Sequence, residues 1–140
     1  MAPHGVSDTA SVPPGKGDGT FQPVRVFSVG SNNRNAAIAD IDVDGKLDVL
    51  VSNRVTSTAS LLRGNGDGTL GTAEPIPTVP EPNAVEAADL TGDGIPDLLV
   101  AGGSSDGFLG LHLGIGSGSF RPVEAHRTGT APLAVATGDW

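Results

Sequence analysis

The 140-residue chain sets 16 acidic against 8 basic residues, a net charge of −8, and carries 21 glycines, 11 prolines and no cysteine. An acidic chain without a basic cluster argues against nucleic acid or an anionic membrane as partner, the missing cysteines exclude a disulfide scaffold, and no apolar run reaches membrane-spanning length. Glycine and proline recur at turn-like intervals throughout, which leaves no stretch for a helix and predicts an all-β protein.

Taken in chain order, Asp8-Thr9-Ala10-Ser11-Val12 is the first strand-like segment. Gly15-Lys16-Gly17-Asp18-Gly19-Thr20-Phe21 follows as a tight hairpin connection whose glycines supply positive φ, and Pro23-Val24-Arg25-Val26-Phe27 as the next strand. Ala36-Ala37-Ile38-Ala39 then leads into an acidic loop, Asp40-Ile41-Asp42-Val43-Asp44-Gly45-Lys46-Leu47-Asp48. The apolar run Leu47-Asp48-Val49-Leu50-Val51 beyond it reads as a buried strand, so the loop joins two strands of a hairpin. Ala59-Ser60-Leu61-Leu62-Arg63 is the next strand, closed by Gly64-Asn65-Gly66-Asp67-Gly68-Thr69-Leu70. The pattern then recurs: a strand over 84–88, a second acidic loop Asp89-Leu90-Thr91-Gly92-Asp93-Gly94-Ile95-Pro96-Asp97, and a strand over 97–101. Further strands over 109–113 and 121–125 flank Gly114-Ile115-Gly116-Ser117-Gly118-Ser119-Phe120, and Ala136-Thr137-Gly138-Asp139-Trp140 matches the approach to the second acidic loop.

The period is 49–50 residues, with four strands and four turns in each repeat. That is the signature of a β-propeller blade, a four-stranded antiparallel unit. The boundaries predicted are a partial blade of two strands over 8–30, full blades over 31–80 and 81–130, and the first strand of a further blade over 131–140. So few strands make an incomplete ring in one chain, and two expectations stand. The chain is a part of a longer propeller, or several copies close a ring as a homo-oligomer, the terminal strand of one completing the partial blade of the next.

The acidic loops carry the chemistry. Oxygen-bearing side chains at positions 1, 3, 5 and 9, with glycine at position 6 for the sharp turn, suit a hard cation that takes many oxygen ligands. In the first loop these are Asp40, Asp42, Asp44 and Asp48, with the Lys46 carbonyl at position 7; in the second, Asp89, Thr91, Asp93 and Asp97, with the Ile95 carbonyl. A helical calcium motif would need a Glu at position 12, where this chain has Val51 and Val100. Aspartate turns also form without metal, because Asp accepts local backbone hydrogen bonds. Two copies in register and the charge count favour Ca2+: eight of the sixteen acids lie in these loops and in a third partial copy at Asp139, and the other eight balance the eight basic residues. Asp18 and Asp67 are not expected to bind metal, since Ser117 stands at that position in the third copy.

The two motifs together, Leu-Leu-x-Gly-Asn-Gly-Asp-Gly-Thr-Leu and then Asp-x-Asx-x-Asp-Gly-x-x-Asp-Leu-x-Val, resemble the FG-GAP/VCBS repeat, over essentially residues 8–140. That repeat builds the seven-bladed calcium-binding propeller of integrin alpha chains and occurs in many secreted bacterial proteins. The resemblance implies calcium at the first hairpin of each blade, on the ligands named above, and a secreted, extracellular setting. Met1-Ala2-Pro3-His4 leads into no signal peptide, so any export signal is expected upstream. Thr91 departs from the family's Asp or Asn and offers a neutral hydroxyl, which predicts a weaker second site.

Catalysis is not expected. His4, His112 and His126 are isolated, His112 in a strand pattern; no Gly-x-Ser-x-Gly surrounds a serine, and the aspartates are accounted for by metal geometry. The chain reads as a structural and protein-interaction scaffold. The alternative is a carbohydrate-binding, lectin-like propeller with sites between blades. Phe21 and Phe120 are assigned to the core, which leaves Trp140 and Phe108 as the aromatic candidates for a sugar.

Overall fold

The computed structural model describes residues 8–138, and within them ten strands and no helix occur. β1 (Thr9–Val12) and β2 (Arg25–Ser28) form a two-stranded sheet. β3 (Asn33–Ala39), β4 (Asp48–Asn53), β5 (Thr58–Leu62) and β6 (Glu74–Pro77) form a first four-stranded sheet in that order. β7 (Pro82–Ala88), β8 (Asp97–Gly102), β9 (Phe108–His112) and β10 (Glu124–Arg127) form a second. Every pairing is antiparallel between chain neighbours.

β4 is buried along its whole length, and its side chains alternate between two cores. Leu50 joins Leu61, Ile41, Val79, Val85, Leu98 and Val100 between the two four-stranded sheets. Val49 and Val51 join Leu62 on the opposite face, against Ala10 and Phe27 of the two-stranded sheet. A strand covered on both faces has no solvent side to make polar, hence the unbroken Val49-Leu50-Val51. Each such side chain contributes about 1.5–3 kcal/mol by leaving water. The outer strands are guarded instead. β6 is Glu-Pro-Ile-Pro, whose prolines offer no N–H to a further strand, and β10 is the fully exposed Glu-Ala-His-Arg.

Across the junction between the two four-stranded sheets, β7 packs chiefly against β3 and then against β4 and β5. Side chains hold this junction. Asn35 Oδ1 accepts the Val85 N–H at 3.0 Å, and Arg54 pairs with Glu81. That pair and the Ser104 hydroxyl hold the Glu81 carboxyl below its usual pKa.

Three expectations are corrected. Phe21, assigned to the core, is 65% exposed, because no described strand covers that side of the two-stranded sheet. Its counterpart Phe120 does pack on the core. The strand expected over 121–125 begins later, at Glu124: Pro122 has no N–H, and Arg121 donates to the Leu113 carbonyl at 2.8 Å ahead of the ladder. Residues 131–138, expected to form a strand, form none, since no second strand lies beside them in the described residues. They are anchored to β7 by side chains instead, with Asn83 Nδ2 donating to the Pro132 carbonyl and Thr137 Oγ1 to Glu86 Oε1. Asp139 and Trp140 lie outside the described residues.

His112 ends β9 opposite Leu98, the place that Leu62 holds opposite Val49 in the first sheet. It is 2% exposed and meets the Phe120 ring edge-on at 6.4 Å, and its Nε2 has no hydrogen-bond partner. Burial pushes its pKa below 6.5. The unfolded chain therefore takes up a proton as pH falls through about 6.5 while the folded chain resists, so stability is whole above that pH and declines below it. The free energy of unfolding from urea titrations at pH 7.5 to 5.5 should fall, by at most about 1.4 kcal/mol per pH unit, and His112→Leu should flatten the profile. An equally steep decline in His112→Leu would assign the effect to other groups.

Candidate metal centre

The ladders set the loops. Ala39 pairs with Asp48 and Ala88 with Asp97, so the residues between must reverse the chain within eight positions in each copy. Gly45 (φ 86°) and Gly94 (φ 83°) make the left-handed turn that the position-6 glycine was predicted to make. In the first loop Val43 is also left-handed, at φ 61°, where the second loop has Gly92 at 77°. A β-branched residue there is strained, by roughly 1–3 kcal/mol.

Position 1 organises each loop. Asp40 accepts the N–H groups of Asp44 (3.0 Å) and Gly45 (2.8 Å); Asp89 accepts those of Gly92 (2.7 Å), Asp93 (3.2 Å) and Gly94 (2.8 Å). These amides, Gly94 foremost, hold the Asp89 carboxyl below its usual pKa. At position 5, Asp44 faces Lys46, accepting its ammonium and its N–H, each at 2.9 Å. The ammonium and then the amide lower the Asp44 pKa, and Asp44 raises that of Lys46. Asp93 accepts the Ile95 N–H at 2.9 Å. Position 3 separates the copies: Asp42 Oδ2 accepts from Arg63 Nη1 at 2.7 Å, whereas the Thr91 hydroxyl lies 3.5 Å from Asp89.

Position 9 has a second role that its spacing does not reveal. Asp48 and Asp97 are 1% and 0% exposed. Asp48 accepts the Ile41 N–H at 2.9 Å on one oxygen and the Gly64 N–H at 2.8 Å on the other. Asp97 accepts Leu90 and Gly114 in the same way, at 2.9 and 2.8 Å. One carboxylate thus ties the start of the acidic loop to the glycine-rich hairpin that follows. The signal available in the sequence was the steady separation of the two motifs. Gly64 is glycine because a Cβ there would sit 2.0 Å from the Leu47 carbonyl oxygen, and at Gly114 2.2 Å from that of Pro96.

The first loop brings one carboxylate oxygen each of Asp40, Asp42 and Asp48 within 4.8 Å of one another. Asp44 stands outside this group. Among the described residues the second loop forms no comparable cluster, since Thr91 supplies no charge. The gathered donors are all hard oxygens, which fit calcium or magnesium rather than a thiolate- or imidazole-seeking metal. Asp18 and Asp67 are turn residues: each accepts both the N–H and the hydroxyl of the threonine two positions on.

Residues 40–100 match the family model of an FG-GAP-like repeat. The match opens on the first acidic loop, runs through β4 to β7 and the second acidic loop, and ends within β8. Comparisons with curated proteins and with solved structures gave no significant match.

Gly64→Ala should cost about 1–3 kcal/mol or more, since backbone stands where its methyl must go. Gly15, the equivalent glycine of the two-stranded sheet, has nothing within 4 Å of that position. Gly15→Ala should stay within about 0.5 kcal/mol. Urea unfolding of both variants checks this, and equal losses would refute the close approach.

Proposed function

We propose, from the premise that residues 40–100 are an FG-GAP-like repeat, that the chain is a calcium-binding β-propeller module serving as a structural and interaction scaffold. The two four-stranded sheets are its blades. The observation that carries this reading is the gathering of Asp40, Asp42 and Asp48 within 4.8 Å. Carboxylates so close repel one another; Arg63 offsets part of that repulsion at Asp42, and a bound cation would offset the rest. In the first loop Asp40, Asp42, Asp44, Asp48 and the Lys46 carbonyl would hold the ion; in the second, Asp89, Thr91, Asp93, Asp97 and the Ile95 carbonyl. A calcium ion would supply the positive charge that these oxygens lack and lock the first hairpin of each blade.

The chain's own part is orientation. Asp40 and Asp89 draw the loop amides inward, and Asp48 and Asp97 hold the loop against the next hairpin. Asp44 must leave Lys46 to take part, which costs little because both groups are more than a third exposed. The second loop, with a neutral hydroxyl at position 3, is the weaker site. Extracellular calcium, at millimolar concentration, would fill both loops, consistent with a secreted setting. Further blades, from a longer chain or from other copies, would cover the exposed Ile38, Leu47 and Leu90. A protein ligand is the expected partner.

A second reading, carbohydrate binding between blades, draws on one observation. A cleft of about 530 Å3 lies between β6 and residues 118–123, with Phe120 and His112 among its walls and Glu74 and Arg121 among its polar groups. Phe108 is less suited, being packed on the core with the Arg127 guanidinium 5.8 Å from its ring centre. Saturable binding on a glycan array would favour this reading over a protein-binding scaffold.

Thermal melts in 2 mM calcium and in excess EGTA (2 mM being roughly the extracellular level) test the principal reading. Occupancy at a hundredfold excess over Kd is worth about 2.7 kcal/mol per site, so two sites should raise Tm by about 10 °C or more. Asp40→Asn should remove the first loop's share, leaving a smaller calcium-dependent rise. An unchanged Tm in the parent protein would refute calcium binding.

A further inference from the structure

Arg63 follows directly on β5 and reaches three elements at once. Its Nη1 donates to Asp42 Oδ2 in the first acidic loop at 2.7 Å, its Nε to Glu74 Oε1 in β6 at 3.2 Å, and its Nη2 to the Ser117 carbonyl at 3.1 Å. Ser117 belongs to the glycine-rich hairpin of the other four-stranded sheet, 54 residues away in the chain. The guanidinium has been given room there: a Cβ on Gly118 would stand 2.6 and 2.7 Å from its terminal nitrogens. Gly68, the equivalent glycine of the first sheet, is approached instead by Pro14 and Arg25 of the two-stranded sheet. Each sheet junction therefore seats a neighbouring side chain on a hairpin glycine.

What sets Arg63 apart is its second hand. It holds one oxygen of Asp42 and leaves the other, Oδ1, turned to the loop, where it accepts the Asp44 N–H at 3.2 Å. The pair is partly buried, with side chains 32% and 15% exposed. The second loop has no such link: strand register places Leu113 where the first sheet has Arg63, and Thr91 where it has Asp42. Lysine could not do this work, because the planar fork of arginine is what spans separate acceptors.

The geometry points to Arg63 as a positioning residue that couples the first acidic loop to the docking of the second sheet's hairpin: a cation that fixes Asp42 in one orientation fixes with it the guanidinium that grips the hairpin, an ordering that outweighs the repulsion between the cation and Arg63 and tightens the contact between the two sheets. The orientation of Asp42 is an outer-shell effect of the kind that tunes metal sites. Coupling of two sites through one residue is reciprocal: whatever the cation adds to the hairpin contact, that contact adds to the cation's affinity. The calcium half of this inference rests on the reading of the first loop as a cation site; the clamp between loop and hairpin does not.

Hydrogen exchange separates the two. The reporters are the amides of Ile115 and Ser119, bonded within the hairpin to the carbonyls of Ser119 and Gly116, and those of Asp44 and Gly45, bonded to Asp40. In EGTA, Arg63→Met should exchange faster than the parent at both sets, on the order of 5-fold or more. Added calcium should slow Ile115 and Ser119 in the parent and leave them unchanged in Arg63→Met, while slowing Asp44 and Gly45 in both. Arg63→Lys keeps the charge and the stem and serves if Arg63→Met is too unstable; it should lose the calcium effect on the hairpin as well. Unchanged hairpin exchange in EGTA on replacing Arg63 would overturn the clamp, and equal calcium protection of the hairpin without Arg63 would overturn the coupling. If calcium slowed no amide in the parent, the cation reading and with it the coupling would fall, and the EGTA comparison would still decide the clamp.

Discussion

The arrangement hangs on two buried aspartates. Asp48 and Asp97 each begin a central strand and lie almost wholly out of water. An ionised carboxylate so placed costs several kcal/mol unless it is compensated. The compensation is four charge-assisted bonds from backbone N–H groups, two to each carboxylate, shared between the acidic loop and the hairpin that follows β5 or β9. The two sequence motifs of the repeat are thus halves of one device. Loop and hairpin are joined through the same carboxylate, and the glycines that admit the hairpin so close are tied to the aspartates they face.

Around these anchors the sheets stack by ordinary apolar packing. The first four-stranded sheet is covered on both faces and carries the unbroken apolar strand; the outer strands carry proline and charge. Between β3 and β7 side chains replace a ladder: Asn35 satisfies the Val85 amide, and Arg54 and Glu81 close the junction. The acidic loops are consequently mounted on buried strands, each between the first two strands of a sheet.

The two loops are copies that have diverged in cost. The first gathers three carboxylates, keeps a strained Val43 and recruits Arg63; the second has Gly92, Thr91 and Leu113 at the matching places. Strain of the kind at Val43 persists only where surrounding structure holds it in place.

The sequence by itself determined the all-β character, the antiparallel hairpins and the FG-GAP-like repeat, because these depend on local spacing. Nine residues with glycine sixth can reverse the chain in few ways, and Val49-Leu50-Val51 has no polar side to expose. What crosses between sheets was decided only by tertiary structure: the Asp48–Gly64 bond, the reach of Arg63 to Ser117, the exposure of Phe21, and the absence of a ladder over 131–138. The physical reason is that contacts between distant residues depend on how one sheet lies on the next. No spacing within a single loop encodes that placement.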